Sequence, residues 1–205
     1  MACRASHFYH LISSPHQSIC MVRLAGVLIF IGAAQFLIFL RVAESIYPGY
    51  SVSGNYISDL GVGPAALVFN TSIILLGVLV MVSSYLLHGL FGDKLLTATI
   101  FLAGFGAFGV GVFPEGSPYG LHTIMSFITF LFAGLAATSA YRVARQPLRK
   151  ISIALGIMTL VALILFASGT YLGLGHGGME RMIAYPPLIW ALTFAGYLMM
   201  LKPEK

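Results

Sequence analysis

The chain has 205 residues, 59% of them hydrophobic and 8% charged, with a mean hydropathy of +0.94 and a formal charge of +5. Soluble domains carry about 25% charged residues, so most of this surface cannot face water, and lipid is its expected solvent. The positive excess does not point to nucleic acid, because the basic residues cluster at the ends of apolar segments, as in the cytoplasmic loops of membrane proteins.

Residues 1–20 (MACRASHFYHLISSPHQSIC) are polar, hold His7, His10 and His16, and show no sustained period. They read as a disordered N-terminal extension, and Met21, which precedes a short basic flank and the first apolar run, reads as an alternative start. Cys3 and Cys20 fall in this stretch, on the side assigned below to the cytoplasm, where disulfides are rare. Residues 21–205 form the membrane domain. Six segments, near 23–43, 65–88, 95–113, 121–141, 150–172 and 184–202, can each cross ~30 Å of hydrocarbon at about 1.5 Å per residue. Their apolar runs are continuous and not alternating, which favours helices over strands. The expected fold is all-α: a polytopic six-transmembrane-helix bundle.

Orientation follows from charge. Arg4, Arg23, Lys94, Arg142, Arg145, Arg149, Lys150, Lys202 and Lys205 fall at one face of the six segments, against Arg41 and Arg181 at the other. Positive residues stay inside, so both termini are expected in the cytoplasm and the protein in the cell membrane as a multi-pass chain. Residues 44–64 are the longest connection on the outer side. They hold four glycines, two prolines and three tyrosines, too broken for a helix and too aromatic for a floppy linker. This loop is expected to fold back over the bundle. Residues 114–120 and 173–183 complete that side. The third segment carries Ala103, Ala107 and Gly111 at four-residue spacing beside Gly104, Gly106 and Gly109. Two readings fit: close helix packing, or a cavity.

The outer side also gathers the ionisable groups, which mark functional sites when they lie at membrane depth. Glu115 and His122 flank a short turn between segments three and four. Brought together, they are the candidate catalytic pair, with the carboxylate orienting a general-base imidazole. Asp59, His122 and His176 are candidate metal ligands, since carboxylate oxygen and imidazole nitrogen suit a divalent ion such as zinc. Asp59 also fits a simple cap or Asx-turn, and His176, in the glycine-rich run 173–178, also fits a plain turn. Arg181, Glu180 and Tyr185 are candidate substrate-binding residues. The planar fork of Arg181 could hold an anionic headgroup, or it could pair with Asp59, Glu115 or Glu44. His88 lies a bilayer away from His122 and His176, so haem ligated jointly by His88 and His122 is not expected; His122 and His176 share a side, but His176 is read on a loop, which does not favour haem between helices. Gln35, inside the first span, is expected to bond to a neighbouring helix. Metalloprotease, nucleophile-elbow, P-loop and dinucleotide-binding signatures are absent from the sequence.

One set of motifs is familiar. Tyr47-Pro-Gly-Tyr50, Ser58-Asp59-Leu60-Gly61, Asn70, Phe113-Pro114-Glu115 with His122, Glu180-Arg181, and Tyr185-Pro186 before Trp190 together resemble the prokaryotic membrane proteins grouped as domain of unknown function 998. The likeness covers about residues 22–202 and implies six helices without implying an activity. More distantly, Ser53 or Ser58 with Asp59, His122 and His176 resemble the zinc surroundings of alkaline-ceramidase-like membrane hydrolases. Those proteins have seven helices and a late H-x-x-x-H pair, which this chain lacks. Two function classes follow. One is a membrane-embedded, metal-dependent hydrolase acting on a lipid or amphiphile at an outward-facing polar pocket. The other is a non-catalytic lipid- or quinone-binding subunit, or a small-solute carrier, whose polar cluster is a structural ion-pair network. Membrane lipids are the expected partners, and a homo-oligomer and a subunit of a larger membrane complex are both compatible with the sequence. The sequence does not name a cofactor.

Overall fold

The structure is a computed structural model that describes residues 15–202. Six helices carry the chain: α1 (Pro15–Ile46), α2 (Ala66–Phe91), α3 (Lys94–Val112), α4 (Leu121–Ser139), α5 (Leu148–Ala167) and α6 (Gly175–Met199). All six are long and apolar enough to cross a membrane, and no strand occurs among the described residues. Large apolar side chains project outward from them, among them Ile38, Leu67 and Ile164, which are 62%, 81% and 68% exposed. A water-facing surface does not tolerate apolar cover of this extent, so the outer faces fit lipid. Helix α1 begins inside the expected extension, while residues 1–14 lie outside the described residues. Cys20, in α1, is disulfide-bonded, a departure from the reduced thiol expected of a cytoplasmic segment.

Each helix packs on its neighbours in sequence, and α6 closes the ring against α1. At one end lie the start of α1, the end of α6 and both short basic hairpins. Arg23 donates there to Leu201 O at 2.8 and 3.2 Å. Asp93 caps α3 by accepting from Leu96 N at 3.0 Å, as an N-cap side chain does, and stands 3.6 Å from Arg142. We call this the terminal end. Its core of Val22, Leu87, Leu96, Phe194 and Leu198 is fully buried. The connections 47–65, 113–120 and 168–174 lie at the opposite, roof end. Gln35 crosses from α1 to α2 by donating to Ser72 O at 2.9 Å, as expected of a polar group within a span.

The last helix departs most from expectation. The run 173–183 reads as a loop in sequence, yet α6 starts at Gly175 and continues through Pro186 and Pro187. Two physical reasons account for this. Proline is tolerated inside membrane helices because neighbouring groups re-satisfy the freed backbone. The glycines are used for contact: Gly177 N donates to Ser53 O at 3.1 Å, and a Cβ on Gly177 would collide with Asn55 O. The first turn of α6 is therefore glycine-rich because a loop sits directly on it.

The small residues of α3 divide by face. Gly104 and Gly111 meet α2, and Gly106 and Gly109 meet α4, so closely that a Cβ at any of the four would press on the neighbour at 3.0 Å or less. Ala103 and Ala107 instead line an internal cavity. Both readings of this helix hold, on different sides of it.

Candidate functional site

Two arrangements at the roof end come from adjacent residues of α6. Arg181 is buried and turns towards the loop. Its guanidinium donates to Glu44 Oε1 at 2.7 Å, Tyr50 Oη at 2.7 Å, Val52 O at 3.0 Å and Gly177 O at 2.9 Å. Glu44 is itself buried at the end of α1 and also accepts from Arg41. The Tyr50 hydroxyl, besides accepting from Arg181, donates to Tyr56 O at 2.9 Å. Burial pushes this hydroxyl up to about 12, against the opposing pull of the Arg181 hydrogen bond. One arginine thus ties α1, α6 and three points of the loop together. Buried charge is stable only when it is paired and hydrogen-bonded, and this pair is both.

Glu180, one residue earlier, points elsewhere. One carboxylate oxygen accepts from Ile57 N. Its other oxygen has no hydrogen bond, although the residue is only 6% exposed, and the side chain lines the internal cavity. That cavity has an empty volume of ≈ 1030 Å³, part of it open to the surroundings. It is walled by α1, α2, α3, α4 and α6, with Ile57 and Ser58 of the loop at its roof end and Trp190 and Ala191 at its deep end. From Glu180 to Ala191 the depth along α6 is ~16 Å at helical rise, about half the hydrocarbon core. Beyond Trp190 the packed core of the terminal end closes it.

The wall is apolar apart from Glu180, Ser58, Ser126 and Thr129. The hydroxyl protons of these three are committed. Ser58 donates to Glu115 Oε2 at 3.1 Å and Thr129 to Met125 O at 2.8 Å. His122 Nδ1 lies 2.9 Å from Phe113 O and Nε2 lies 3.3 Å from Ser126 Oγ. A carbonyl only accepts, so neutral His122 carries its proton on Nδ1, and Ser126 must donate to Nε2. What the cavity offers a guest is therefore lone pairs.

The structure distributes the residues singled out in the sequence. Asp59 accepts from Asn55 Nδ2 and Tyr56 N, both at 3.0 Å, and so fastens the loop on itself. Glu115 and His122 share no hydrogen bond and serve Ser58 and Ser126 respectively. His176 lies on α6, its ring centroid 4.4 Å from that of Tyr56 and 6.2 Å from that of Tyr171. Burial and the nearby Tyr171 raise the Tyr56 hydroxyl above its ordinary value. Among the described residues no three His, Cys, Asp or Glu side chains are placed to share a metal ion, so Asp59, His122 and His176 are not gathered. Of the candidate partners of Arg181, Glu44 is the one that pairs. Tyr185 is partly buried against the core at this end and does not line the cavity. Tyr50, Ser126 and the backbone N–H of Ile57 went unforeseen. Ser126, Thr129, Ala133 and Ala136 do form one helical face in sequence, a small-residue stripe that could have flagged a cavity wall.

Six helices long and apolar enough to cross a membrane, five of them walling an apolar cavity, with a hydrogen-bonded loop across one end, define a multi-pass helical membrane protein. The chain belongs to the family described as "Protein of unknown function (DUF998)", whose model matches residues 30–197. The matched stretch holds the whole roof and every cavity-lining residue except Ile29. No curated protein and no solved structure matches the chain.

Proposed function

We propose that this protein is a non-catalytic receptor within the membrane for a single-chain amphiphile, with the tail in the central cavity and the head beside Glu180. The observation that carries this reading is the cavity itself: apolar, about one leaflet deep, closed at the terminal end and finished at the roof end by a buried carboxylate. Concave apolar sites with a few convergent polar groups are the usual form of small-molecule sites. A closed terminal end suits a pocket better than a conduit. The separate hydrogen-bonding of Glu115 and His122 favours binding over hydrolysis. The lysines and arginines of the terminal end support a cytoplasmic position for it, so the head would sit towards the outer leaflet of the cell membrane.

Trp190 is the single tryptophan of the chain and lines the deep end, which supplies the test. In nanodiscs, dodecanol brominated at its tail end should quench Trp190 fluorescence saturably, and Ala107→Phe, which fills the cavity, should abolish the saturable part. Quenching that rises linearly with membrane partitioning, and equally in both proteins, would refute the proposal.

A further inference from the structure

Lipid tails are as apolar as leucine, so a tail gains little by leaving the bilayer for this cavity. Selectivity must then come from the polar end, through the difference between one head and another. That end is described by three observations. Its hydroxyl protons are all given away, to Glu115, His122 and Met125. Glu180 is 6% exposed and lines the cavity, and one of its oxygens makes no hydrogen bond. The cationic side chains at this end, Arg41 and Arg181, are both bonded to Glu44, and among the described residues no cation pairs with Glu180, Asp59 or Glu115.

A head that only accepts hydrogen bonds, such as a quinone carbonyl, a carboxylate or a phosphate, meets lone pairs and negative charge there. A head that donates and carries positive charge is complementary to both. We propose that the cavity selects a primary-ammonium amphiphile, a single-chain amine whose head donates to Glu180. This assignment rests on the cavity-binding reading above. An ammonium carries three donors. One satisfies the free Glu180 oxygen, and the others face a wall whose hydroxyls, Ser58 and Ser126 among them, offer lone pairs. The bound cation also supplies the countercharge that an ionised carboxylate at this depth requires. Arg181, the neighbouring cation in sequence, makes no hydrogen bond to Glu180; its bonds go to the roof and to its own helix.

The test compares tail-brominated dodecyl compounds that differ only in the head: amine, alcohol and carboxylate. Trp190 quenching in nanodiscs holding the full chain reports their affinities. The amine should bind on the order of tenfold more tightly than the alcohol, the worth of one charge-assisted hydrogen bond, and the carboxylate most weakly. Glu180→Gln keeps an acceptor for Ile57 N and removes the charge. It should bring the amine to within about twofold of the alcohol in the same variant. Equal affinities in the unmodified protein, or a preference for the carboxylate, would overturn the head assignment and leave the cavity reading standing. Absence of saturable quenching by all three would remove the cavity reading and this one with it. Ethylamine, a head without a tail, should not displace the dodecylamine; if it does, the site belongs to a small free cation and the amphiphile is excluded. Should Glu180→Gln fail to fold, the ranking of the three heads on the unmodified protein decides by itself.

Discussion

Arg181 turns from α6 into the roof, where four acceptors hold it; Glu180 turns into the cavity, where the backbone of Ile57 is its one donor. Adjacent helical positions point about 100° apart, and here that angle separates a group that ties the roof together from one that lines the cavity. The roof is closely knit: Glu44 is met by two arginines, Tyr50 both accepts and donates, and Asp59 closes its own turn, with Arg181 Nε left without a partner. At the cavity, Glu180 has a single donor, the backbone of Ile57, for its two oxygens. Charges of opposite sign, side by side in sequence, would ordinarily be read as partners. Packing instead gives each a different neighbour, and the imbalance at Glu180 is what remains.

The comparison can be broken most forcefully at Arg181. Arg181→Met leaves buried Glu44 with the exposed Arg41 as its remaining cation and unties Tyr50 and Val52; it should lower stability by about 3 kcal/mol, read from thermal unfolding in detergent, whereas Glu180→Gln should move the transition far less. Equal losses from the two would mean that the roof and the cavity face do not differ as described. Pairing Arg181→Met with Glu44→Gln should recover part of the loss, because the buried charge is then gone and Arg41 is exposed to solvent.

A smaller effect is expected where the loop rests on α6. Gly177→Ala drives a Cβ against Asn55 O and Val52 O. Backbone offers little room to yield, so about 1–3 kcal/mol should be lost. Limited proteolysis should then cut within residues 47–62 faster than in the unmodified protein. Unchanged protection would show that the loop is held by the Arg181 bonds alone.

Smallest of the three is Tyr50→Phe, worth about 1 kcal/mol at neutral pH. Its sharper signature is alkaline. The Tyr50 hydroxyl sits at about 12 in the fold and near 10 when unfolded, so folding favours the protonated form. The stability this contributes is complete below pH ~10 and disappears as pH rises through ~12. A pH series of unfolding midpoints should lose that part of its alkaline slope in Tyr50→Phe; an identical slope would show that other groups carry it.

Part of this was legible beforehand. Six continuous apolar runs demanded six helices, since lipid offers no partner for unpaired backbone. The loop 44–64 was readable as a cover for the bundle from its broken, aromatic composition, and Gln35 as a bridge between helices. The start of α6 was not readable. Gly-Leu-Gly-His-Gly-Gly followed by Tyr-Pro-Pro has the composition of a turn and a helix start, and only the loop seated on those glycines shows why they are helical. Asp59, His122 and His176 looked like a metal set because they share an end of the molecule. Sharing an end places side chains within a membrane's width of one another, not within bonding distance of one ion.

Hydropathy and charge alone settled the class of this protein, the number of its helices and the end at which its acids gather, because transfer into lipid is a property of each segment by itself. Which acid is neutralised and which is left facing empty space was decided by tertiary packing. A helix turns its successive side chains towards different neighbours, and those neighbours come from parts of the chain more than a hundred residues away.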